Sequence, residues 1–346
     1  MSETITRGAL LQRVSVWIGG GKSVIGPRQV KPANGLRQEV PVQYGRVTSA
    51  EELLLSGDTR PANSLKEFFF PRHEKLYGYQ FKGRQIELTD TEQPSTEQII
   101  VGGRPCDAAA LPVLDHLFNW DYRDETFNRR RELTTIVTIA CRSFDSHCFC
   151  TSVGSSPVDA RGSDVLLLAV DAERYEVRFV TEKGRRLLNG ATTTANENAT
   201  EPAAPPKRFE MEQLKEFLAG GYERPEWKTT TLRCLGCGAC AYTCPTCHCF
   251  DIVDEGNAAG GLRARNWDAC QFGLFTLHAS GHNPRHNQAE RQRQRIHHKF
   301  QIYPDKFGET LCTGCGNCTR NCPVGLGVLS VVEAIAAAPR ENQSQK

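Results

Sequence analysis

Six cysteines crowd into the sixteen residues from Cys234 to Cys249, in the stretch CLGCGACAYTCPTCHCFD. Cys234, Cys237, Cys240 and Cys244 follow the spacing C-x2-C-x2-C-x3-C-P, and Cys312, Cys315, Cys318 and Cys322 repeat it, again before a proline. Steps of three residues let a tight loop wrap three corners of an iron–sulfur cube. Gly236, Gly238, Gly314 and Gly316 lie between the thiols and let the backbone pass close to inorganic sulfide. Structural zinc also uses C-x2-C pairs, but it needs four ligands in two clips. Here three cysteines march in series, twice, each series closed by Cys-Pro, and that pattern favours iron–sulfur chemistry over zinc.

Where two such motifs share a chain, the fourth cysteine of each ligates the other motif's cluster. The expectation is therefore two [4Fe–4S] clusters with crossed ligands: Cys234, Cys237, Cys240 and Cys322 for one, Cys312, Cys315, Cys318 and Cys244 for the other. Seven of the fifteen cysteines remain. Cys106 follows the apolar run IIVGG, Cys141 ends TTIVTIA, and Cys148 and Cys150 follow in HCFC. If the two runs are parallel neighbouring strands, Cys106 and Cys141 emerge at one sheet edge, and the four thiols offer a further cluster site. The alternative is that Cys106 and Cys141 are buried small hydrophobes, a common fate of free cysteine. Cys247, Cys249 and Cys270 form a competing set of three that lacks a fourth ligand, and the residues alone do not choose.

The elements that must position these thiols divide the chain. At 346 residues it has room for two domains. YGYQF and RQIEL around a Lys-Gly turn, then QIIVG, TTIVTIAC and DVLLLAV, have the composition of strands. Between QIIVG and TTIVTIAC, DAAALPVLDHLF carries Leu111, Leu114, Leu117 and Phe118 at helical spacing, and strand–helix–strand order predicts a parallel pair. The small, polar, proline-bearing segment GATTTANENATEPAAPPK reads as a flexible connection. The expected class is α+β: an N-terminal α/β domain over 1–189, a linker over 190–208, and a mainly helical two-cluster ferredoxin-like domain over 209–346, ending in the apolar helix VLSVVEAIAAA.

Composition excludes other classes. A formal net charge of +2 gives no global pull toward nucleic acid or an anionic membrane. No run of eighteen apolar residues occurs, and MSETITRGALLQRVSVW lacks the basic-then-apolar order of a secretory signal, so a cytoplasmic protein is expected. A reducing cytosol also opposes a disulfide framework for fifteen cysteines. GGGKS at 19–23 lacks the first glycine of a phosphate loop, Val16 standing there, and reads as a turn. SGHNPRHNQAERQRQRIHHK reads as a solvated helix whose cations offset negative clusters or meet an acidic partner. No G-x-G-x-x-G follows a strand, so no dinucleotide site is expected, and no acid–base machinery stands out as catalytic.

KEFFFPRHEKLYGY, GGRPCDAAALPVLD, HCFCTSVG, CLGCGACAYTCPTCHCFDIVDE, RNWDACQFGLF, SGHNPR and CTGCGNCTRNCPVG occur in that order. Together they resemble the beta subunits of cytoplasmic sulfhydrogenases, over roughly residues 60–190 and 226–330. The electron-transfer subunits of anaerobic sulfite reductases are similar over the same blocks, and KEFFFPRHEKL tilts the resemblance toward the sulfhydrogenase side. The resemblance implies an electron-transfer component of an oxidoreductase complex, with no activity on its own. It implies partners too: a flavoprotein that binds FAD and NAD(P), and the large and small subunits of a nickel–iron hydrogenase. Its relay would run between the flavoprotein and sulfur or polysulfide.

Overall fold

The computed structural model describes residues 2–30, 41–196 and 198–337. Its larger sheet has eight strands: β1 (Ser2–Thr6), β2 (Ser23–Gln29), β3 (Val42–Arg46), β6 (Gln98–Gly103), β7 (Thr134–Ile139), β8 (Val165–Ala169), β9 (Arg174–Phe179) and β10 (Thr193–Ala195). A second sheet has four: β4 (His73–Lys82), β5 (Gln85–Asp90), β11 (Phe250–Asn257) and β12 (Gly260–Trp267). Helices and sheets in these proportions make the chain α+β.

Spatial order in the larger sheet is β10-β1-β9-β8-β7-β6-β2-β3. Its centre is parallel, with β2 on β6, β6 on β7 and β7 on β8, while the flanking pairs are antiparallel. Every residue of β6 and β7 is buried. Strands covered on both faces lose polar alternation, which is why QIIVG and TTIVTI read as plain apolar runs. The core on one face gathers Leu10, Val14, Ile99, Val137 and Leu167. On the other, Leu111, Leu114 and Phe118 of the helix Ala110–Phe118 pack with Ile100, Ile136 and Phe127. The helical spacing in DAAALPVLDHLF and the parallel pair it predicted are both present. GGGKS is a turn between the helix Arg7–Gly19 and β2, with Lys22 paired to Glu97.

The second sheet has the order β11-β12-β4-β5, all antiparallel. Its two hairpins come from chain segments on either side of 190–208, so β12 on β4 ties them together. At that joint Arg265, 6% exposed, donates from Nε to Glu74 at 3.1 Å and from Nη1 to Asp124 at 2.5 Å. Within 190–208, Thr193–Ala195 adds an edge strand to β1, and Pro205 accepts a hydrogen bond from Thr151 Oγ1 at 2.9 Å. The apolar end of the chain forms the helix Val328–Ala336, whose Leu329, Val332 and Ile335 join Ile296 and Phe300 in a third core.

Candidate metal centres

The parallel sheet positions the first group of thiols. β6 and β7 run parallel, with one register shift after Val101, and end at Gly103 and Ile139, so the chain leaves both at their carboxyl edge, where open α/β sheets place their sites. Cys106 and Cys141 lie just beyond that edge. The loop carrying Cys148 and Cys150 folds back over them, and all four cysteines line one cavity, of about 330 Å³ empty of protein atoms, with Cys315 of the second motif in its wall. The loop lies directly on that motif. Gly314 and Gly316 adopt φ of +65° and +77°, and a Cβ on Gly314 would meet the Cys150 backbone at 2.5 Å. Phe149 N–H donates to Gly314 C=O at 2.9 Å, and Arg320 Nε bonds Asp145 at 2.7 Å. The same guanidinium reaches Cys148 Sγ from Nη2 at 3.1 Å, and Arg104 Nη2 reaches Cys141 Sγ at 3.3 Å.

Cys234, Cys237, Cys240 and Cys322 line a second cavity, of about 310 Å³ empty of protein atoms. The first three come from one motif and the fourth from the other, far along the chain. Cys244 goes the opposite way: its charge is felt by Cys312 and Cys315, which also feel Cys318. Among the described residues no three His, Cys, Asp or Glu side chains converge on a position for one ion. In the two cavities the thiols stand around a space, as ligands of a multi-iron cube do.

Donors reach these sulfurs from one helix and from the chain on either side of it. Gln288–His297 opens with an Asn287 capping box and sends Gln292 Nε2 to Cys234 Sγ at 3.2 Å and Gln288 Nε2 to the same atom at 3.4 Å. Further along, Arg295 and Lys299 are buried, and Lys299 Nζ lies 3.6 Å from Cys244 Sγ. Backbone N–H groups of Leu326 and Val328 donate to Cys322 and Cys318 at 3.2 and 3.4 Å. Such donors favour the thiolate and tune whatever it ligates. The expected solvated helix is therefore a half-buried one. Its cations do face thiols, but from inside the protein, because its polar stripe of Gln288, Gln292 and Arg295, continued by Lys299 just past its end, lies against the cysteines.

Burial sets the electrostatics. It pushes Cys240 up to about 11 and Cys312 up to about 12, so a thiolate at either position calls for nearby positive charge of the kind iron supplies. Burial likewise works against a charged Lys299, yet the thiols of Cys244 and Cys247 outweigh it and raise its pKa. Lys66, from the KEFFF block, is lowered to about 8 by burial; its ammonium donates to the carbonyls of Cys247 (2.9 Å) and Ala241 (3.1 Å) and sits 3.8 Å over Trp267. Burial, then the neighbouring His298, lowers His248 to about 3, so it stays neutral. Arg104, Arg320, Lys66, Gln288, Gln292, Arg295 and Lys299 were not picked out from the sequence; the signal for the last four is their spacing of four, three and four along HNQAERQRQRIHHK.

The fit is with a four-iron cluster protein. Residues 233–326 match the family model described as a 4Fe-4S dicluster domain, which spans both cysteine motifs. That stretch is similar to a domain that holds two four-iron clusters. The chain is similar to the protein named Sulfhydrogenase 2 subunit beta from Pyrococcus furiosus, 28% identical over 313 residues that cover 87% of this chain and 90% of that one. No solved structure matches the chain. Among the described residues no helix is long and apolar enough to cross a membrane.

Proposed function

We propose that this chain is the iron–sulfur electron-transfer subunit of a cytoplasmic, NAD(P)-linked nickel–iron hydrogenase–sulfur reductase. Cys234, Cys237, Cys240 and Cys322 hold one [4Fe–4S] cluster, and Cys312, Cys315, Cys318 and Cys244 hold another. Cys106, Cys141, Cys148 and Cys150 hold a third. Bound clusters supply one-electron transfer, which is what a flavoprotein partner needs to split hydride pairs. The chain's own contribution is placement and tuning: N–H and cationic donors from Gln292, Lys299, Arg104 and Arg320 offset the charge of the thiolates.

The observation that carries this reading is the company kept by Cys322, which lines a cavity with three cysteines of the other motif. The shared wall at Cys315 supports the third site as the next stop of a relay. The resemblance to a sulfhydrogenase beta subunit supports the partners: a flavoprotein that binds FAD and NAD(P), and the hydrogenase large and small subunits.

The test is anaerobic purification of the chain with its co-purifying subunits, with iron counted and the reduced protein examined by electron paramagnetic resonance. About twelve irons per chain are expected from three four-iron sites. Cys322→Ser should perturb the signal of the Cys234 set and leave that of the Cys312 set. The reverse pattern sinks the crossed assignment. Four irons bound by the Cys106 group, lost in Cys141→Ser, support the third cluster, and eight irons in both proteins remove it. Co-purification with a sirohaem protein instead of a nickel–iron pair would overturn the hydrogenase assignment.

A further inference from the structure

Cys247, Cys249 and Cys270 take no part in these sets. In the β11–β12 hairpin Phe250 pairs with Trp267, so Cys249, just before one strand, and Cys270, just after the other, leave the hairpin side by side. Asp268 N–H closes the gap by donating to Cys249 C=O at 2.9 Å. Both cysteines then line one cavity, where Gln271 Nε2 reaches Cys270 Sγ at 3.5 Å. The two cysteines stand next to each other at the base of the hairpin and open on the same space, as the partners of a disulfide must.

The pair faces a wider, open cavity, of about 1030 Å³ empty of protein atoms, whose walls are cationic: Arg285, Arg295 and Lys299 line it together with Cys247, and Phe250 and Ile302 are partly exposed. Arg295 is 2% exposed, and its Nε and Nη2 have no hydrogen-bond partner, so the guanidinium presents buried, unsatisfied donors where an anion would lie. Vicinal thiols beside a cationic cavity are suited to exchange with an S–S bond carried by an anion.

We propose that Cys249 and Cys270 form a redox-active dithiol–disulfide pair that reduces the S–S bond of a small anion held in this cavity. The proposal rests on the electron-transfer reading above for its reductant. The Cys249 thiolate attacks one sulfur of R–S–S–R′, forming a mixed disulfide and releasing R′S⁻. The Cys270 thiolate then attacks the Cys249 sulfur, forming the Cys249–Cys270 disulfide and releasing RS⁻. Two electrons from a one-electron iron–sulfur donor, in two steps, and two protons from water restore the dithiol. Overall R–S–S–R′, two electrons and two protons give RSH and R′SH. Both an inorganic sulfur chain and an organic disulfide bearing carboxylates carry this chemistry.

The full chain, purified anaerobically with its clusters, is treated with sodium tetrasulfide or with glutathione disulfide, then alkylated and mapped by mass spectrometry. A Cys249–Cys270 linked peptide that dithionite removes is the expected result. Its absence after both reagents overturns the proposal, as does one equivalent of zinc that is lost in Cys270→Ser. Dithionite-driven reduction of the reagents by Cys249→Ser and Cys270→Ser should fall at least tenfold while iron content and the resonance signals persist. A fall with tetrasulfide alone supports an inorganic sulfur chain, a fall with glutathione disulfide alone an organic disulfide, and unchanged rates with both overturn the proposal. Because the mapping uses the wild-type chain and needs no cluster, it scores the pair even where resonance contradicts the electron-transfer reading.

Discussion

The eight-stranded sheet and the cysteine-bearing region after Phe209 are both packed, but with different materials. Around the sheet the core is hydrocarbon: Leu10, Val14, Val101, Val137 and Leu167 are essentially fully buried, and main-chain ladders satisfy the backbone between them. In the other region Cys240 and Cys318 sit among the apolar residues of the core, alongside Ile296, Phe300 and Val332. Its strand β11 is largely exposed. Buried thiols and buried Lys299 and Arg295 need each other, whereas Val137 and Leu167 need only to be out of water. The core of one region is apolar; the core of the other, by this reading, is completed by metal.

Iron removal probes that difference most strongly. Chelation under mild oxidation should cost the cysteine-bearing region on the order of 10 kcal/mol, the scale of a structural metal site. Hydrogen exchange should then rise at amides 234–244 and 312–322, while β6, β7 and β8 keep their protection. Equal loss of protection in both regions would erase the distinction. Leu167→Ala is the converse experiment. It opens a cavity in the sheet core worth about 2–5 kcal/mol, read as a lower urea midpoint, and should leave the cluster resonances of the folded protein unchanged. The smallest effect is expected from Gln292→Ala, which removes one N–H···S bond to Cys234. Reduction adds negative charge, so losing a donor worth about 1 kcal/mol should lower the potential of that cluster by roughly 40 mV and leave the other cluster alone in a redox titration.

The two motifs and the strand–helix–strand unit were legible because each is local: three-residue steps and a leucine spacing of three and four carry their own geometry. The parallel pairing of β6 and β7 followed from a helical stretch between two apolar runs. Other elements were silent. β1 is short, and FDIVDEGN and GGLRARNW, though eight residues each, have too many polar residues on both faces to stand out as strands. The helix Gln288–His297 read as solvated because its buried face is polar, an inversion of the usual pattern that makes sense only beside thiols.

The chain's order of cysteines, with Cys-Pro closing each series, already implied iron–sulfur chemistry, since ligand spacing within a loop is settled by a few neighbouring dihedrals. Which thiols share a cavity was decided by the tertiary structure. Arg320 meets Cys148 across 172 positions, Lys299 meets Cys244 across 55, and Cys249 and Cys270 share a cavity only because a hairpin closes between them. Contacts of that range depend on how sheets and helices pack, and no spacing rule along the chain encodes them.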